Sequence, residues 1–134
     1  MDSPRVLIVD DDSSVARVLA RTFERSGFLV TTAPDGEWAF SLLSEQTFDA
    51  LICDIQMPRL DGRQLCHRLA ANGMRLPATT LIVTSRSEER ERAWVAALPG
   101  ARLVEKPIGP KHLLRIVREQ LLEPAREEGQ RRAA

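Results

Sequence analysis

Apolar and polar positions along the chain fall into alternating blocks. RVLIV is an apolar run behind a single arginine and reads as a buried strand. After it, Val15, Val18, Leu19, Thr22 and Phe23 recur at i, i+3, i+4, i+7 and i+8. That spacing predicts a helix with this stripe turned inward. Asp12 or Ser13 can cap its start and Gly27 its end. FLVTTA is rich in β-branched residues and predicts a second strand. PDGEWAFSLLSEQ predicts a helix with Trp38, Leu42 and Leu43 inward. DALICD is a third strand that ends on Asp54, and GRQLCHRLAANG is a helix with Leu65 and Leu69 inward and Gly73 beyond its end. ATTLIVTS is a fourth strand. SEERERAWVAAL is a helix whose acidic start suits the positive end of its dipole, and its SEERER run reads as a solvated face. ARLVE is a short fifth strand, and GPKHLLRIVREQLLE is a fifth helix with Pro110 in its first turn and Pro124 at its end.

The order is βαβαβαβαβα. Apolar strands separated by helices imply a parallel sheet covered on both faces, an α/β domain with right-handed crossovers. In such sheets ligands bind at the carboxyl ends of the strands. A chain of 134 residues suits one domain, expected over residues 1–123, with a polar tail over 124–134. Nineteen basic and nineteen acidic residues leave no net charge, so no basic excess points to nucleic acid. The apolar runs are too short to span a bilayer, and MDSPR is not a secretory leader. The expectation is a cytoplasmic protein with no membrane contact. Cys53 and Cys66 fit no metal-ligand spacing and read as buried, reduced thiols.

Parallel strands bring their carboxyl ends to one edge. Asp10 and Asp11 close the first strand, Asp54 the third and Thr84 the fourth, while Lys106 follows the fifth. Converging carboxylates repel one another, and a divalent cation offsets that repulsion. Oxygen ligands with room for water suit Mg²⁺ better than zinc or copper. With a hydroxyl and an ammonium at the same edge, the set suits a phosphoryl group attacked by a carboxylate. Read singly, Asp12 is a helix cap, MPRLDG is turn chemistry, Thr84 is a strand end and Lys106 is a loop lysine. His67 and His112 sit among polar neighbours and read as solvated, and Trp38 and Trp94 as packing residues.

VDDD, DIQMPRLDG, VTS and EKP together resemble the receiver domain of two-component response regulators, from about Val6 to Leu122. The resemblance implies a five-stranded (βα)5 flavodoxin-like sheet in the order 2-1-3-4-5. It implies that Asp54 accepts a phosphoryl group from the phosphohistidine of a sensor histidine kinase or a histidine phosphotransfer domain. Asp11 would hold Mg²⁺ directly, Asp10 its hydration shell, and the backbone carbonyl of Gln56 would complete the site. Lys106 would pair with phosphoryl oxygens, with a cis bond to Pro107 fixing its loop. Thr84 would move onto the phosphoryl group and remodel the face made by the fourth helix, fifth strand and fifth helix, for an output partner or a homodimer.

Two departures stand out. GARLVEKP is one residue short between Gly100 and Lys106, and Leu103 stands where the family commonly carries the aromatic residue of the switch. Gln56 and Arg86 occupy positions that tune dephosphorylation in the family, with Arg86 placed to screen the phosphoryl group. No helix-turn-helix pattern follows the fifth helix, so DNA binding by this chain is not expected, and the chain reads either as a stand-alone receiver acting by protein contact or as a receiver cut from a longer protein. A phosphorelay intermediate and a phosphorylation-independent interaction module are the competing readings. A flavin or nucleotide binder is disfavoured, because three aspartates stand where a glycine-rich phosphate loop would be needed.

Overall fold

The computed structural model describes residues 3–85 and 89–122. Ten elements alternate: β1 (Arg5–Val9), α1 (Ser13–Glu24), β2 (Leu29–Ala33), α2 (Gly36–Glu45), β3 (Ala50–Asp54), α3 (Gly62–Ala71), β4 (Thr79–Thr84), α4 (Glu89–Ala96), β5 (Ala101–Glu105) and α5 (Pro110–Leu122). The strands form one sheet in the order β2-β1-β3-β4-β5. Every pair is parallel, with Val9 opposite Cys53, Asp54 opposite Val83 and Thr84 opposite Glu105. The sheet therefore has one rim where all carboxyl ends meet.

The two-residue period of the strands sorts the core into two layers. Val6, Ile8, Ile52, Leu81 and Val83 point to one side and pack with Leu19 and Phe23 of α1 and Leu113 and Val117 of α5. Leu7, Val9, Leu51, Cys53 and Ile82 point to the other and pack with Ala39 of α2, Leu65 and Leu69 of α3 and Val95 of α4. The apolar runs of β1, β3 and β4 follow from this, since both faces are covered. β2 and β5 each pair on one side only and are half exposed, against the expectation of uniformly apolar strands.

Helix ends follow local chemistry. The Asp12 carboxylate accepts from the amides of Ser14 and Val15 and caps α1. The regular helix closes at Arg25, and Gly27 then turns the chain with φ +93°, while the Phe28 amide donates back to the Phe23 carbonyl. A capping box joins Asp61 and Gln64 at the start of α3. Buried Asp35 caps α2 through the Trp38 amide at 2.9 Å, and its second oxygen accepts from Arg59 at 3.2 Å. The Gly36 amide donates to the Leu60 carbonyl, so this cap also anchors the loop between β3 and α3. Asp35→Ala is expected to cost about 1–2 kcal/mol in urea unfolding, because the cap is lost while Arg59, largely solvated, adds little. A midpoint equal to that of the parent protein would remove the cap from this account.

Three inward faces differ from the sequence reading. In α1 the residues on the sheet are Ala16, Leu19 and Phe23, while Val15 and Val18 are 40% and 52% exposed and Thr22 is half-buried. A helix turns about 100° per residue, so seating Ala16 and Leu19 on the sheet carries Val15 and Val18 to the flank. In α2, Ala39 takes the buried place and Trp38 is turned out, 58% exposed, with Leu42 and Leu43 partly buried. In α4, Glu91 is buried rather than solvated, and its carboxylate accepts from the Trp94 indole N–H. Ser87, Glu88 and Arg86 lie outside the described residues, as do Pro124 and the expected tail. His67 and His112 are exposed, and Trp94 packs partly buried against the second core layer. Among the described residues no helix is long and apolar enough to cross a membrane.

Candidate functional site

At the carboxyl rim, Asp10, Asp11 and Asp54 each bring a carboxylate oxygen within 4.8 Å of the others. β1 ends at Val9 and delivers the first two, and Asp54 is the last residue of β3. β1 and β3 are neighbours, so two strand ends suffice to build the cluster. Asp10 and Asp54 are buried, whereas Asp11 is exposed. Asp10 Oδ1 also accepts from the Asp12 amide at 2.9 Å, which fixes the turn out of β1. Asp12 itself faces away into its cap. The Ser14 hydroxyl, with the amides of Val15 and Ser14, holds its carboxyl below the usual range. Of the three consecutive aspartates, two therefore serve the rim and one the helix.

Lys106 approaches from the other side. Its Nζ lies 3.2 Å from both oxygens of Asp54. The Lys106–Pro107 bond is cis, and the Lys106 amide donates to the Thr84 carbonyl at 2.7 Å. Thr84 closes β4 and is fully buried. Burial pushes the Asp54 carboxyl up to about 7, and the Asp10 charge adds to this, while Lys106 pulls the other way. An opposite charge of higher valence between the carboxylates would reverse that balance. The donor set consists of hard oxygens with one exposed member, and it fits a hydrated divalent cation.

The loop after Asp54 is held tightly. The Gly62 amide donates to the Ile55 carbonyl, and a Cβ on Gly62 would lie 2.4 Å from the Asp54 carbonyl oxygen. Gln56 is exposed two residues beyond Asp54. Leu103 is half buried, opposite Ile82 in the sheet, and packs on the layer that holds Trp94. Cys53 and Cys66 are buried free thiols, and burial raises both, Cys66 to about 12, so neither is a nucleophile here. Arg86 is outside the described residues.

The sequence reading did not find the cavity beside this cluster. It measures about 480 Å³ and opens between α1 and the start of α5, lined by Val15, Val18, Ile108, Pro110 and Leu113, with Asp54 and Lys106 at its end. The available signal lay in Val15 and Val18, which sit at the margin of the α1 stripe and lean away from the residues packed on the sheet.

The model of the response regulator receiver domain family matches residues 6–118, and the chain belongs to that family. It is 36% identical over 125 residues to the response regulator MprA of Mycobacterium sp. (strain KMS), an alignment covering 93% of this chain and 54% of the relative. The chain thus spans about half the length of the curated relatives it matches. Among solved structures, it is similar to the Francisella response regulator 1452 receiver domain, with 25% identity and a TM-score of 0.81 over 90% of this chain and 98% of the other. The CheY-like receiver domain protein from Methanospirillum hungatei JF-1 also gives 25% identity and a TM-score of 0.81, over 94% and 99%. The (βα)5 fold and the strand order expected from the resemblance are those observed.

Proposed function

We propose that Asp54 is a phosphoryl acceptor served by a partner's phosphohistidine. The observation that carries this is the setting of Asp54, with Asp10 and Asp11 on one side and the Lys106 ammonium 3.2 Å away on the other, in the lining of a cavity. In the transfer, a carboxylate oxygen of Asp54 forms a bond to phosphorus as the phosphorus–nitrogen bond of the donor breaks, and the imidazole leaves. Asp11, Asp54 and the Gln56 carbonyl would hold Mg²⁺, with Asp10 on its hydration shell, and the bound cation would supply charge neutralisation for the phosphoryl oxygens. Lys106 is placed to pair with one phosphoryl oxygen as the carboxylate it now holds becomes an acyl phosphate. Thr84 would donate its hydroxyl to another, and that movement would pull on β4 beside Leu103. With leucine at that position, the change reaches the α4–β5–α5 face as apolar repacking rather than as rotation of a polar-tipped ring. Gln56, exposed two residues beyond Asp54, would border the path of an attacking water and set how long the phosphoryl group lasts.

Intact mass after incubation with acetyl phosphate and Mg²⁺ tests the reading. One added phosphoryl group is expected, absent for Asp54→Ala and absent with EDTA. No adduct, under conditions that label a known receiver, would leave an interaction module that does not use its acidic site.

A further inference from the structure

The two chain segments that build the acidic rim are both tied to the turn between β2 and α2. The Asp10 amide donates to the Ala33 carbonyl at 3.1 Å, which joins the end of β1 to the end of β2. Just beyond, the Gly36 amide donates to the Leu60 carbonyl at 3.0 Å, and the Asp35 carboxylate accepts from Arg59. Residues 33–36 therefore hold the segment of Asp10 and Asp11 and also the loop that runs from Asp54 through Gln56 to Gly62. The contact with Leu60 is close. Gly36 is buried in the first turn of α2, and a Cβ there would run into the Leu60 carbonyl oxygen and lie 2.8 Å from the Leu60 Cβ. At the same place the loop makes a three-residue turn. The Leu60 amide donates to the Pro58 carbonyl at 2.8 Å, and Arg59 between them has φ +68°. Such turns are rare and strained, and they persist only where neighbours hold them. Here Asp35 and Gly36 hold it from α2, and the buried Leu60 side chain anchors it in the second core layer. The bond from the Gly62 amide to the Ile55 carbonyl closes the base of the loop, so Gln56, Met57 and Pro58 span two fixed points.

We propose that Asp35 and Gly36 are positioning residues for the metal site, and that they set its affinity by holding the loop that presents the Gln56 carbonyl to Mg²⁺. The inference rests on the proposed Mg²⁺ site and adds two residues that lie outside its acidic cluster. Groups that orient a ligand without touching the metal commonly matter as much as the ligand itself. A backbone carbonyl has no rotamer to adjust, so its aim depends wholly on the loop that carries it. Asp35 acts through the cap that fixes the first turn of α2, and Gly36 acts by letting the loop approach that turn.

The test is calorimetric titration of the metal-free protein with MgCl₂, with no phosphoryl donor present. Gly36→Ala is expected to weaken Mg²⁺ binding by about tenfold or more, because the loop must draw away from α2. Asp35→Ala, which frees the first turn of α2, should weaken it by about fivefold. Asp35→Asn keeps an oxygen for the Trp38 amide and should return the affinity to within about twofold of the parent value. Phe23→Leu controls for lost stability. It leaves a gap in the opposite core layer at the far end of α1, and should lower the melting midpoint while Mg²⁺ affinity holds. Equal weakening in Asp35→Ala and Asp35→Asn would make the effect one of charge and overturn the proposal. A loss in Phe23→Leu as large as in Gly36→Ala, or parent-like affinity in Gly36→Ala, would also overturn it. If Gly36→Ala does not fold, the two Asp35 variants decide alone. A parent protein that takes up no Mg²⁺ would overturn the metal site itself, and the positioning role with it.

Discussion

Asp54→Asn is expected to make the protein more stable at pH 8 while abolishing its phosphoryl uptake. The two effects share one cause. The Asp54 carboxyl moves from an ordinary 3.8 to about 7 in the fold, first through burial and then through the Asp10 charge. Between these values the unfolded chain has released a proton that the folded chain still holds, so stability falls as pH rises. Above pH 7 the whole penalty is present, and below pH 4 it vanishes. Asparagine has nearly the same shape and no charge, so it escapes the penalty. The gain in metal-free buffer should be on the order of 1–3 kcal/mol at pH 8, allowing for the partly solvated rim, and small at pH 4.5. Lys106 loses its partner in the variant, but its side chain is 40% exposed and keeps water, so this subtracts little. Urea unfolding of both proteins at several pH values in EDTA checks the prediction. A difference that is flat in pH would mean that Asp54 is not held against its own charge. Addition of Mg²⁺ should narrow the gap, since bound cation stabilises the parent protein through the carboxylates that otherwise repel.

Gly62→Ala is expected to be the most damaging small substitution near the site. The added Cβ would fall 2.4 Å from the Asp54 carbonyl oxygen and 3.0 Å from the Ile55 Cα, both backbone atoms. Neither can rotate away as a side-chain tip could. Relief requires the start of α3 to draw back, which would break the bond from the Gly62 amide to the Ile55 carbonyl and strain the Asp61–Gln64 capping box. A cost of about 3 kcal/mol is expected, which in a domain of this size lowers the melting midpoint by roughly 10 °C. Phosphoryl uptake should slow more than the melt alone would explain, because the same displacement moves the backbone of Asp54. A melting midpoint within a degree or two of the parent value would show that the loop tolerates the shift.

The fold was legible because β1, β3 and β4 are buried on both faces and announce themselves as apolar runs. The rim followed from topology alone: parallel strands send Asp10, Asp54 and Thr84 to one edge whatever the details of packing. Helix faces were harder to read. Val15, Val18 and Trp38 are as apolar as the residues beneath them, and only the rotation of each helix on the sheet decides which side turns in. In α1 that rotation favours Ala16, whose small side chain lets the helix sit close. In α2 it favours Ala39 over the bulkier Trp38. A charged residue such as Glu91 carries no mark in the sequence that its neighbour Trp94 will shelter it. The cavity beside Asp54 arises from the flank that these rotations leave uncovered, so it could not be read from any single element.

The outward turn of Trp38 has a practical side. Trp38 and Trp94 are the only two indoles in the chain, and they occupy unlike surroundings. Trp38 stands in water on α2, while Trp94 packs partly buried against the second core layer with its N–H tied to Glu91. An aqueous quencher reaches the first far more readily than the second. The residual emission then belongs to α4, and the core layer on which Leu103 also packs carries its own optical label.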